Sequence, residues 1–122
     1  MAVSNCNAVG ARPLLALALL FATWALLGPH PPQVGPVFDQ MDKLWHLLAF
    51  FGLALLSDIG WPQRGFDARK YLPLALYGGL TEGLQHFVPG RELSSLDLLA
   101  DLAGIATYGL LALPLLRHLA IR

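Results

Sequence analysis

Three carboxylates stand inside apolar sequence: Glu82 in YLPLALYGGLTEGLQHFV, and Asp97 and Asp101 in SSLDLLADLAG. A charge at the centre of a bilayer costs at least ~2.5–3.5 kcal/mol, so such groups face a partner, a bundle interior or water. Lys43 and His46 head an earlier apolar run and are the basic groups that could meet them. Carboxylate, imidazole and guanidinium together suit general acid–base or phosphoryl chemistry, with Glu82, His46 and Asp97 as the candidate catalytic residues. Lys43 and Arg91, beside the start of a helix, would draw an anion. The three carboxylates oppose one unless they are paired or protonated. Glu82 and His86 at i, i+4, with His46 and Asp101, would suit zinc. No known metal spacing is matched, and neither a metal nor a cofactor is expected.

Helical spacing gathers these residues into stripes. Lys43, His46 and Phe50 share one face; Gly78, Glu82, Gln85 and Pro89 share a second; Asp97, Asp101, Gly104 and Tyr108 share a third. Each residue also has a plainer reading. Lys43 suits a snorkelling anchor, Asp42 a helix-start acid, and Asp97 the second half of a Ser94/Asp97 capping box. Gln85 suits interhelical hydrogen bonding, and His46 and His86 suit interfacial histidines. Glu82 and Asp101 lie too deep in apolar sequence for such a reading and require an ion pair or a site.

The elements that must position the stripes are membrane helices. The chain has 122 residues, 56% of them hydrophobic and 13% charged, with a mean hydropathy of +0.56. That is too apolar for an ordinary soluble domain of this size. Eight basic residues cancel eight acidic ones, so no bulk field attracts nucleic acid. Cys6 is the sole cysteine, so no internal disulfide forms. The expected fold is all-α, a single membrane domain over 1–122 with spans at about 10–28, 44–61, 71–88 and 96–116.

The first span competes with a cleaved signal peptide. Trp24 interrupts its apolar run and GPHPPQVGP has no small-x-small cleavage site, so a retained helix is favoured. A linker with Pro29, Pro31, Pro32 and Pro36 follows. Trp45 and Trp61 bracket the second span like an aromatic belt, roughly 24 Å apart along a helix. Residues 62–70 read as a basic loop, Pro73 falls in the first turn of the third span, and Pro114 lies near the end of the fourth. Gly79 and Gly83 form a GxxxG; packing inside one monomer is favoured over a homodimer through this pair. With four spans, Arg12, Arg64, Arg69, Lys70, Arg117 and Arg122 lie on one side and Lys43 and Arg91 on the other, so both termini are expected in the cytoplasm. The three polar stripes then converge on the outer face.

The ordered set Asp42-Lys43-x-x-His46-x-x-x-Phe50, Glu82-x-x-Gln85, Pro89-Gly90-Arg91, Ser95-x-Asp97 and Gly104 resembles the VanZ-like family of small bacterial integral membrane proteins over roughly residues 40–110. Asp101 departs from that pattern, which has Asn there. The resemblance implies a four-helix, multi-pass protein of the bacterial inner membrane with a cell-envelope function. The family's namesake is associated with resistance to the glycopeptide teicoplanin. With the stripes, it makes Asp42, Lys43, His46, Glu82, Gln85, Arg91, Ser95, Asp97 and Asp101 the ligand-binding candidates. The partners expected are the lipid bilayer and a polar lipid or cell-wall precursor. A membrane-embedded hydrolase of a lipid-linked phosphate is the alternative. PGRELSS loosely resembles the Pro-Gly/Arg/Ser-rich loops of undecaprenyl-pyrophosphate phosphatases, but lacks their second Arg and a matching His.

Overall fold

The computed structural model describes residues 5–27, 41–85, 87 and 95–119. Among these residues all regular structure is helical: α1 (Asn5–Leu27), α2 (Met41–Gly60), α3 (Ala68–Gln85), and α4 (Ser95–Thr107), which continues through a π-helical turn (Tyr108–Ala112) into α5 (Leu113–His118). The proline linker and the turn carrying Pro89, Gly90 and Arg91 lie outside the described residues.

Three of the four helical rods are long and apolar enough to cross a membrane, over Ala8–Ala25, Lys43–Gly60 and Leu96–His118. α3 is not among them, because its 18 residues include Arg69, Lys70 and Glu82. It buries its polar face instead: Lys70, Thr81, Glu82 and Gln85 are all inside the bundle, while Leu72, Leu76 and Leu80 face outward. The whole molecule repeats this distribution. His46, Asp58, Asp97 and Asp101 are buried, and Leu17, Leu20, Phe21, Leu110 and Leu111 are exposed. In water such a surface would drive association; it suits a bundle solvated by lipid, where backbone groups pair within the helix and polar side chains turn inward.

α2 is the central helix and packs against α1, α3 and, most extensively, α4. Lys43 meets Asp97 at one end and Asp58 meets Tyr108 toward the other, so α2 and α4 run parallel. α3 runs against them: Lys70 meets Asp58, while Gly78, further along, meets Asp101. The apolar core between them is Phe50, Leu53, Ala54, Leu74, Ile105, Tyr108 and Leu113. Phe66 and Phe51 both pack edge-on against the Tyr108 ring.

Among the described glycines, the tightest helix contact is at Gly104. A Cβ there would stand 2.9 Å from the Phe51 backbone nitrogen and closer still to the Leu47 carbonyl oxygen. The GxxxG behaves otherwise than expected: a Cβ at Gly79 or Gly83 would meet nothing within 4 Å. Both lie on the exposed face of α3, so among the described residues they pack against nothing. Gly78 does that work, against Asp101 and Phe50.

Several local expectations are corrected. Asp67 starts α3 at Ala68, three residues before the expected position 71: its carboxylate accepts from the Arg69 amide at 3.0 Å, and its carbonyl accepts from the Lys70 and Tyr71 amides. The Arg69 side chain, hydrogen-bonded to it, holds the Asp67 carboxyl below its ordinary value. Pro73 therefore lies beyond the first turn, where its missing amide leaves the Arg69 carbonyl without its helical donor. Pro13 likewise lies within α1. Pro114 follows the π turn; its ring opposes an α-helical bond to the Leu110 carbonyl, and the wider π register falls at that place.

Candidate functional site

Lys43 and His46, one turn apart on α2, face Asp97 and Asp101, one turn apart on α4. Lys43 Nζ lies 3.3 Å from Asp97 Oδ1. His46 Nδ1 lies 2.6 Å from Asp101 Oδ1, and His46 Nε2 lies 3.8 Å from Asp97 Oδ2. The imidazole is thus set between two carboxylates. Asp101 is 1% exposed and His46 8%, so this geometry is held inside the bundle rather than at its surface. Opposite an ionised Asp101, Nδ1 donates; a second proton on Nε2 would then face the Asp97 carboxylate, so the site suits an imidazolium held between two acids.

α3 closes the third side. Gly78 is where Asp101 touches it: a Cβ there would stand 3.1 Å from Asp101 Oδ2 and 3.3 Å from Phe50. Glu82 and Gln85, on the same face of α3 toward the Lys43 end, are 6% and 3% exposed. Thr81 Oγ1 donates back to the Tyr77 and Gly78 carbonyls, so its polarity is spent within α3. Three helices therefore bring Lys43, His46, Glu82, Gln85, Asp97 and Asp101 to one end of the bundle. Among the described residues no three His, Cys, Asp or Glu side chains converge as a metal site. Asp42 and Ser95 lie in the first turns of α2 and α4, and their side chains are outside the described residues, as are His86 and Arg91.

No family model matches this chain, and no curated protein or solved structure matches it either.

A second polar cluster, at the opposite end, was not anticipated. Lys70, expected in a basic loop, is a buried α3 residue whose Nζ lies 2.7 Å from Asp58 Oδ1. The same ammonium donates to the carbonyls of Asp58, Trp61 and Arg64 at 3.1, 2.9 and 2.7 Å. The Tyr108 hydroxyl donates to Asp58 Oδ2. Arg12 Nε donates to the Gly60 carbonyl at 2.7 Å, and its guanidinium stacks over Trp61. The last carbonyls of α2, which have no intrahelical donors, are satisfied in this way by two cations from neighbouring helices. The signal was present in the sequence: Asp58 in LLSDIGW is a carboxylate in an apolar run, as much as Glu82 is.

Of the three carboxylates that the sequence offered it, Lys43 pairs with Asp97. A double-mutant cycle of Lys43→Met with Asp97→Asn is expected to show a coupling of about 0.5–3 kcal/mol, larger than the cycle with Glu82→Gln. Unfolding in detergent measures both. Equal coupling in the two cycles would contradict the pairing.

Proposed function

We propose that this protein is a VanZ-like, multi-pass protein of the bacterial cytoplasmic membrane whose polar site at the Lys43 end faces outward and holds an envelope ligand. The ligand class is a lipid headgroup or a cell-wall precursor, and a link to glycopeptide (teicoplanin) resistance belongs to the same reading. The positive-inside rule supports the outward orientation, since a four-span arrangement sets six of the eight basic residues opposite Lys43 and Arg91. The observation that carries the reading is the His46 imidazole held between Asp97 and Asp101. A buried mixed-charge cluster is costly in an apolar bundle, and the clamp at Asp58 and Lys70 already ties the other end together.

One observation favours the hydrolase alternative. The 2.6 Å contact from His46 Nδ1 to Asp101 orients the ring as a carboxylate orients a general-base histidine. Protein in nanodiscs is to be incubated with a lipid-linked pyrophosphate, with binding and phosphate release measured together for the wild type and for His46→Gln. Saturable binding without release, weakened in His46→Gln, is the expected result. Release that depends on His46 would instead establish the hydrolase. Neither binding nor release would remove both readings for this ligand class.

A further inference from the structure

Toward the Asp58 end, a cleft of about 490 Å³ lies between α1, α3 and the loop that joins α2 to α3. Its walls are Leu15, Leu19, Leu74 and Tyr77. At its mouth stand Trp61, Arg64 and Arg69. The Tyr77 hydroxyl in this lining is already engaged, 2.7 Å from Thr23 Oγ1. Ser57, Pro73 and Lys70, whose ammonium is held by Asp58, complete the lining, so the cleft is mainly apolar with its arginines gathered at one end beside Trp61.

We infer that this cleft holds one anionic phospholipid, its phosphate at Arg64 and Arg69 and an acyl chain along Leu15, Leu19 and Leu74. The charge pattern selects this occupant. Basic pockets between helices at the interface recognise anionic headgroups, whereas a zwitterionic headgroup brings a cation toward the same arginines. Trp61 sits at the polar–apolar boundary that indoles favour. Asp67 takes the Nε and Nη2 donors of Arg69 at 3.3 and 2.9 Å from Oδ2, which sets the plane of the guanidinium and leaves Nη1 out of that contact. The mouth therefore also carries one carboxylate, and the site needs Arg64 as well as Arg69 to favour an anion. The cleft volume falls within the ~300–1,000 Å³ of sites that enclose small ligands. This site is separate from the His46 cluster and does not depend on what that cluster binds.

The test uses the full-length protein in a neutral detergent, with palmitoyl-oleoyl phosphatidylglycerol, the matching phosphatidylcholine, or sodium phosphate added. Thermal unfolding and native mass spectrometry are read together. Phosphatidylglycerol is expected to raise Tm and to leave one lipid on the protein, with little effect from phosphatidylcholine or free phosphate. Arg64→Gln/Arg69→Gln is expected to weaken phosphatidylglycerol by about thirtyfold. Arg64 lies in an exposed loop, so Arg64→Gln alone tests the headgroup contact with the Arg69–Asp67 pair left in place. Leu15→Trp, which fills the cleft, is expected to remove the retained lipid. An equal response to phosphatidylcholine would overturn the anionic selectivity, and an equal response to free phosphate would overturn the lipid. An unchanged phosphatidylglycerol response in Arg64→Gln/Arg69→Gln would overturn the site itself.

Discussion

Lys70→Met is expected to destabilise the protein by about 3–5 kcal/mol, the range for removing one partner of a buried ion pair. Asp58 is fully buried, and removing the ammonium takes away the cation that compensates its charge, with the Tyr108 hydroxyl still donating to it. The carbonyls of Asp58, Trp61 and Arg64 lose the same donor. Asp58→Leu/Lys70→Met removes both charges together and is expected to recover part of the loss. It should not recover all of it, because the α2 carbonyls still lack their donor. Unfolding in detergent, followed by helical circular dichroism, measures each variant. A loss below about 1 kcal/mol for Lys70→Met would place the pair in water, in the range of exposed ion pairs. Strict additivity of the two single substitutions would show that the pair does not interact.

Gly104→Ala is the second large effect. The added methyl would collide with the backbone of α2 at Leu47 and Phe51, and backbone inside a hydrogen-bonded helix cannot turn aside as a side chain can. α4 must then move off α2, at the upper end of the ~1–3 kcal/mol typical of overpacking or beyond it. The same movement would lengthen the Lys43–Asp97 and His46–Asp101 contacts, which span the same interface on either side of one helical turn. Stability and ligand binding at the His46 end should therefore fall together. Gly79→Ala and Gly83→Ala are the controls. Each adds a methyl in open space and replaces a glycine in a helix, a change worth roughly 0.5–1 kcal/mol in favour of the helix. If Gly79→Ala destabilises the protein as much as Gly104→Ala does, the helix packing described here is wrong.

These two substitutions mark where sequence reading stops. The sequence by itself determined that the chain is helical and apolar enough for a membrane, because hydrophobic composition and helical period are local properties. It also determined which residues could share a face. Lys43 with His46, and Asp97 with Asp101, are one turn apart wherever their helices go, and both pairs did come together at one end of the bundle. The extent of α2 was legible to within a few residues for the same reason.

Partner choice was not legible. It depends on how far each helix is rotated about its axis and slid along it, and a shift of one residue turns a side chain by about 100°. Only the packed structure set those values. It gave Lys43 to Asp97, and turned Lys70 inward onto Asp58. It put Gly104, not Gly79 or Gly83, against the backbone of a neighbouring helix. It brought Tyr108, at the start of a π turn, within reach of Asp58. In each case the deciding quantity was the distance between two helices, which no single helix carries in its own sequence.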